Sequence, residues 1–110
     1  MKYGLSDKQL EEIISFISEY GEVEQAVLFG SRAIGSYREA SDVDIAIFGE
    51  KVTAGLAARM KFDMEEDTYL PFLFDFVAYS KITNEALKEH IDTKGVKLYM
   101  KDGKRKQING

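Results

Sequence analysis

The sequence predicts an α/β or α+β fold, a sheet layered against helices, in one domain. Three observations carry that expectation. Apolar residues recur at helical spacing in two long segments and a shorter one. Short apolar runs, bounded by glycine or introduced by proline, lie between them and read as strands. The two kinds of segment alternate along the chain, so the crossover rule makes at least one strand pair parallel.

Ser6-Asp7-Lys8-Gln9 has the form of a capping box, with Leu5 and Leu10 placed for a hydrophobic staple. Leu10, Ile13, Ile14 and Ile17 follow on one face, and Gly21 is a stop, giving a helix over 7–20. Residues 23–29 read as a strand ended by Gly30-Ser31. The connection from Gly30 to Ser41 has room for one turn of helix. Residues 43–48 form a second strand bounded by Gly49, and residues 53–67 a second long helix with Leu56, Met60 and Met64 inward. Pro71 introduces a third, very apolar strand over 72–79. Thr83 or Asn84 caps a short helix to about residue 91, which Lys94-Gly95 closes. Residues 96–100 make a last strand at an edge. The domain thus covers 1–100, and the basic segment 101–110, with Lys101, Lys104, Arg105 and Lys106, reads as a flexible solvated tail.

Composition narrows the function classes. The 110 residues are 45% apolar and 31% charged, ordinary for a soluble domain. There is no cysteine and one histidine, which leaves no Cys-based metal site and no His-rich one. A net charge of −4 argues against nucleic-acid binding through bulk charge. No apolar run has the length of a membrane span, and MKYGLSDKQ lacks a signal-peptide core. A cytoplasmic protein with no membrane partner is expected.

The chemistry lies between Leu28 and Phe48, LFGSRAIGSYREASDVDIAIF. Asp42 and Asp44 are two apart on a strand, so they share a face with Ala46 and Phe48, while Val43, Ile45 and Ile47 point the other way. Two adjacent carboxylates repel, and keeping both ionised calls for a cation or strong donors. Hard divalent ions such as Mg²⁺ or Mn²⁺ take such oxygen ligands together with phosphate oxygens. A bare SDVD can also be an exposed strand start, with Ser41 and Asp42 as turn residues. Asp75 shifts that balance. It is the only charge between Pro71 and Lys81, on a strand where Phe72, Phe74 and Phe76 share the opposite face. If its strand lies beside that of Asp42 and Asp44, three carboxylates converge. Gly30-Ser31 adds a turn with free N–H groups and a hydroxyl, suited to an anion. Phosphoryl-type transfer needs these parts: a phosphate anchor, and carboxylates able to hold two metals about 3.5–4 Å apart.

GSRAIGSYREASDVD, Gly30 through Asp44, resembles the signature of the minimal nucleotidyltransferases, the small branch of the DNA polymerase beta superfamily. Gly30, Ser31, Arg32, Ala33, Gly35, Ser41, Asp42, Asp44 and Ile45 match the pattern, and Asp75 matches the later aspartate in an apolar strand. Ile34 departs from it, standing where Arg or Lys is common. The resemblance spans residues 5–100 and implies a mixed sheet of about four strands with helices packed on one side. It implies transfer of a nucleoside monophosphate, AMP from ATP being the leading case, to a hydroxyl. Gly30 and Ser31 would bind the triphosphate, with Arg32 a charge near it or a structural ion pair. Asp42 and Asp44 would hold two Mg²⁺ (or Mn²⁺), and Asp75 would hold one and help deprotonate the acceptor.

The same resemblance implies a separate helical partner of the HEPN type. In many such pairs the HEPN protein is a toxin that the nucleotidyltransferase neutralises by attaching AMP to a tyrosine. Two alternatives stand beside that reading: transfer to a small molecule with the partner as substrate-binding subunit, and a non-catalytic antitoxin that acts by occlusion. Other chemistry-bearing residues read as structural. His90 takes a surface helix position, Tyr37 packs over the motif loop, Met60 and Met64 are core, and the acidic run from Asp63 to Asp67 is a solvated or partner-facing helix end.

Overall fold

A computed structural model describes residues 1–101; the expected tail beyond Lys101 lies outside them. The elements are α1 (Asp7–Ser18), β1 (Gln25–Phe29), α2 (Ser31–Ile34), β2 (Val43–Phe48), α3 (Ala54–Asp67), β3 (Phe74–Ala78), a 3₁₀ turn (Tyr79–Lys81), α4 (Glu85–Lys94) and β4 (Val96–Met100). The strands form one mixed sheet in the order β3-β2-β1-β4. β1 is antiparallel to β2 and β4, whereas β2 and β3, joined through α3, are parallel. β4 is an edge strand, as expected.

Local signals account for the boundaries. The capping box forms: the Gln9 N–H donates to Ser6 Oγ at 3.1 Å, and the Ser6 N–H donates to Gln9 Oε1 at 2.9 Å. α1 ends two residues early because its last turn tightens, with Glu19 and Tyr20 donating to carbonyls three residues back. Thr53 and Asn84 cap α3 and α4 through side-chain oxygens that accept from Leu56 and Leu87 N–H. β3 is shorter than the apolar run because Phe72 still lies in the bend after Pro71, and Tyr79 already turns into the 3₁₀ segment.

The alternation of each strand sends its side chains to two layers. Ala26, Leu28, Val43, Ile45, Ile47, Phe74, Phe76 and Ala78 form the main core with Ile13 and Ile17 of α1 and Ala57, Met60 and Met64 of α3. The Tyr20 hydroxyl donates to Asp63 at 2.6 Å and closes α1 against α3; burial first, and the carboxylate next, push its phenol up. Val27, Phe29 and Ala46 face the opposite layer and pack with Ile91 of α4. The expectation of helices on one side therefore holds for α1 and α3 but not for α4. That helix is needed on the second face because the odd-numbered apolar residues of β1 would otherwise lie bare. No described helix is long and apolar enough to cross a membrane.

Candidate active site

Parallel pairing sets Asp44 directly opposite Asp75, with Val43 opposite Phe74 and Ile45 opposite Phe76. Adjacent strands lie about 4.8 Å apart, so the two aspartates are immediate neighbours on one face. Asp42 precedes β2 by one residue and shares that face. Asp42 and Asp75 are exposed and Asp44 is half-buried. The convergence expected from alternation is thus the register of the sheet itself.

Asp44 pairs on its other side with Phe29, the last residue of β1. Gly30 follows at once, and its Cα lies against the Asp44 carboxylate; a β-carbon there would overlap Asp44 Oδ2. Gly30 has φ 79° and ψ −159°, a region open in practice only to glycine. Its N–H donates to His90 Nε2 at 2.9 Å and its C=O accepts from Ala33 N–H at 3.1 Å. The Gly30 N–H is thus engaged by α4, and Gly30 serves the turn by its shape. Ser31 opens α2 just beyond, and remains the residue of the pair with a hydroxyl to offer.

Asp44 sits in a field of its own sign. Burial first, then Asp75 and Asp42, push its carboxyl up to about 6, against a weaker opposing pull from Arg32. The donor set is made of hard carboxylate oxygens, has no ion pair among the described residues, and suits a divalent cation. Among the described residues no three acidic or imidazole groups stand together at metal-ligand spacing. Asp42, Asp44 and Asp75 are the residues able to hold it.

Arg32 takes a different place from that expected. It is 1% exposed, and its guanidinium donates only to backbone carbonyls: Ser41 (2.8 and 3.2 Å), Tyr3 (3.0 Å), Glu39 (3.2 Å) and Gly4 (3.4 Å). Tyr37 and Phe72 cover it, with ring centroids 5.4 and 4.9 Å away. Its donors are spent on the chain, so it is a clamp and not a direct phosphate ligand. The partners are carbonyls where an ion pair was expected, because the planar fork reaches several oxygens of one turn at once. The clamp fixes the loop that delivers Asp42. In that loop Gly35 takes the left-handed conformation that ends α2, and the Arg38 N–H donates to Ser41 Oγ at 2.8 Å.

The remaining residues sort plainly. Tyr37 does pack over the loop, and Met60 and Met64 are fully buried. In the acidic run, Asp63 is held by Tyr20, and Glu65 accepts from Lys61 (2.8 Å) and from the Phe74 N–H (3.1 Å), which hold its carboxyl below the usual range. These two acids tie α3 to its neighbours and are not free to form a second metal site. His90 was underrated by sequence reasoning: it is half-buried, its ring stands edge-on to Phe29, and it bonds the turn. A cavity of about 520 Å³ opens around Arg32, Tyr37, Pro71 and Phe72, but none of the three aspartates lines it.

The polymerase beta nucleotidyltransferase family profile matches residues 11–104. The chain belongs to the polymerase beta nucleotidyltransferase family. Members of this family generally use divalent metals. Among curated proteins no match was found. Several solved structures share the nucleotidyltransferase fold. A toxin–antitoxin structure with AMP-PNP is 19% identical, with a TM-score of 0.70 over 89% of this chain and 78% of that one. An MntA toxin–antitoxin mutant, in which two aspartates two positions apart are replaced by glutamate, is 17% identical, with a TM-score of 0.68 over 89% and 78%. A tri-AMPylated Shewanella oneidensis HEPN toxin in complex with MNT antitoxin gives 17% and 0.62 over 89% and 75%. At these identities the likeness to each is one of fold.

Proposed function

We propose that this nucleotidyltransferase-family chain transfers AMP from ATP to a hydroxyl of a helical HEPN-type protein, a tyrosine being the acceptor, and so acts as the antitoxin of a toxin–antitoxin pair in the cytoplasm. The observation that carries the proposal is the pairing of Asp44 with Asp75 across the β2–β3 ladder, beside Asp42 and the Gly30–Ser31 turn. Solved structures that share this fold include an MNT antitoxin in complex with a tri-AMPylated HEPN toxin and a toxin–antitoxin structure with AMP-PNP, which supports this acceptor and nucleotide.

Each residue then has a task. Ser31 binds the triphosphate at the start of α2. Asp42 and Asp44 would hold two Mg²⁺, or Mn²⁺, and Asp75 would complete one site. When bound, these ions neutralise phosphate charge and stabilise the attacking and leaving oxygens. Asp75, exposed at the mouth of the cluster, takes the proton of the acceptor hydroxyl. The acceptor oxygen forms a bond to the α-phosphorus, the bond from that phosphorus to the bridging oxygen breaks, and pyrophosphate leaves. Residues 1–100 form the catalytic domain.

The test is transfer of label from α-labelled ATP to the co-purifying helical partner. The parent protein is expected to label it with added Mg²⁺ and not in its absence. Asp42→Asn and Asp44→Asn should each stop transfer while the protein stays folded. Full activity in both variants would sink the assignment. A labelled small-molecule product formed without a protein acceptor would replace the acceptor, and undiminished toxin neutralisation by an Asp42, Asp44 and Asp75 triple Asn variant would replace catalysis by occlusion.

A further inference from the structure

The bond between α4 and the Gly30 turn joins residues 60 apart in sequence. It is a hydrogen bond from a backbone N–H to an imidazole nitrogen, which requires a lone pair on Nε2. The ring is then neutral with its proton on Nδ1, a tautomer fixed by its partner. Both polar groups of the Gly30 backbone are engaged, the N–H by His90 and the C=O by Ala33. The turn itself occupies a sparsely populated backbone region, and such a conformation persists only where its surroundings over-determine it. The Phe29 ring, edge-on at 6.2 Å between centroids, and Ile91, packed on Phe29 and Ala46, hold the imidazole in place.

We propose that His90 is a positioning residue for this site: by accepting the Gly30 N–H it sets the Phe29–Gly30 peptide, and with it the approach of Ser31 and the seat of the Asp44 carboxylate on the Gly30 Cα. Without that acceptor the buried side of the turn loses its partner, and the peptide is free to rotate. Ser31 and Asp44 then lose their common reference. α4, which carries none of Asp42, Asp44 and Asp75, is thus the element that holds the two halves of the motif in register. The kinetic part of this inference rests on the nucleotidyl-transfer reading; the structural part does not.

His90 is the only histidine in the chain, so its imidazole signals are unambiguous in the full-length protein. Long-range ¹H–¹⁵N spectra at about pH 8, above the ordinary imidazole range, are expected to show the Nδ1–H tautomer. A through-hydrogen-bond coupling is expected between Gly30 N and His90 Nε2. The Nε2–H tautomer, or absence of the coupling, overturns the proposal. His90→Leu removes the acceptor, whereas His90→Gln places an amide oxygen near the position of Nε2. His90→Leu should weaken Mn²⁺ binding, followed by paramagnetic broadening, and lower kcat/KM for ATP by about tenfold or more, with His90→Gln recovering most of both. Equal loss in the two variants, in proportion to their melting temperatures, reduces His90 to packing and overturns the proposal. If the parent transfers no nucleotide at all, the nucleotidyl reading fails alone, and the tautomer, the coupling and the Mn²⁺ titration still decide the role of His90.

Discussion

The Asp44 carboxylate rests on the Cα of Gly30 with no space for a β-carbon between them. The Gly30–Ser31 turn and the carboxylate cluster are therefore in direct contact. Gly30→Ala must relieve both an overlap and a backbone conformation that costs a non-glycine residue about 1–3 kcal/mol. A fall in melting temperature of about 5–15 °C is expected, together with loss of Mn²⁺ binding. A variant that melts with the parent would show that the two residues are not in this contact.

The charge state of Asp44 links stability to pH. Folding raises its carboxyl from 3.8 to about 6, so the folded state holds this proton more tightly than the unfolded state. The stability it contributes is complete below about pH 4 and is lost as pH rises through about 6. In cation-free buffer Asp44→Asn should therefore be more stable than the parent at pH 8, by about 1 kcal/mol once solvent screening is allowed for. At pH 4 the two should melt together. Calorimetric scans of both proteins across this range check the sign.

Cation binding runs the other way with pH. An ion requires Asp44 without its proton, so affinity should be level above about pH 6 and fall close to tenfold per unit below it. At pH 6 binding should release a fraction of a proton, read as a dependence of titration heat on the ionisation enthalpy of the buffer. Affinity that stays flat down to pH 5 would remove Asp44 from the ligand set.

Arg32 offers a clean separation of fold from chemistry. Its buried guanidinium is held by carbonyls of Tyr3, Gly4, Glu39 and Ser41. Arg32→Ala should cost about 3 kcal/mol or more, as expected for an emptied buried charge site that leaves several carbonyls unpaired. Arg32→Lys should recover little, because an ammonium lacks the planar fork. Denaturant unfolding measures this directly. An Arg32 variant of parental stability with a raised KM for ATP would instead return it to the phosphates.

Much of this was legible because it depends on short-range periodicity. Alternation alone puts Asp42 and Asp44 on one face and Asp75 opposite its phenylalanines, and the sheet needed only to bring β2 beside β3. The capping box of α1 and the core methionines follow from local spacing in the same way. What escaped the sequence depends on distance. His90 meets Gly30 across 60 residues, and nothing in NEALKEHIDTKG announces a partner at the end of β1. The resemblance left Arg32 between a charge near the phosphates and a structural ion pair; its long side chain instead turns back into the fold, where carbonyls from two separate segments take its donors. Placing α4 required knowing that Val27, Phe29 and Ala46 make a second apolar surface, which appears only once β1 and β2 are paired. Ile34 is 54% exposed at the end of α2, so the loss of the usual positive charge there alters the surface and leaves the packing alone.

The Arg32 clamp has a consequence for how this scaffold can change. It grips the loop by main-chain oxygens at Glu39 and Ser41, groups that every amino acid possesses. The shape of the loop is thereby uncoupled from most of its spelling. Exposed positions such as Ser36, Arg38 and Ala40 can drift toward a new recognition surface while Asp42 is still delivered to the same point. A rigid frame with a freely editable rim lets one core carry many different surfaces.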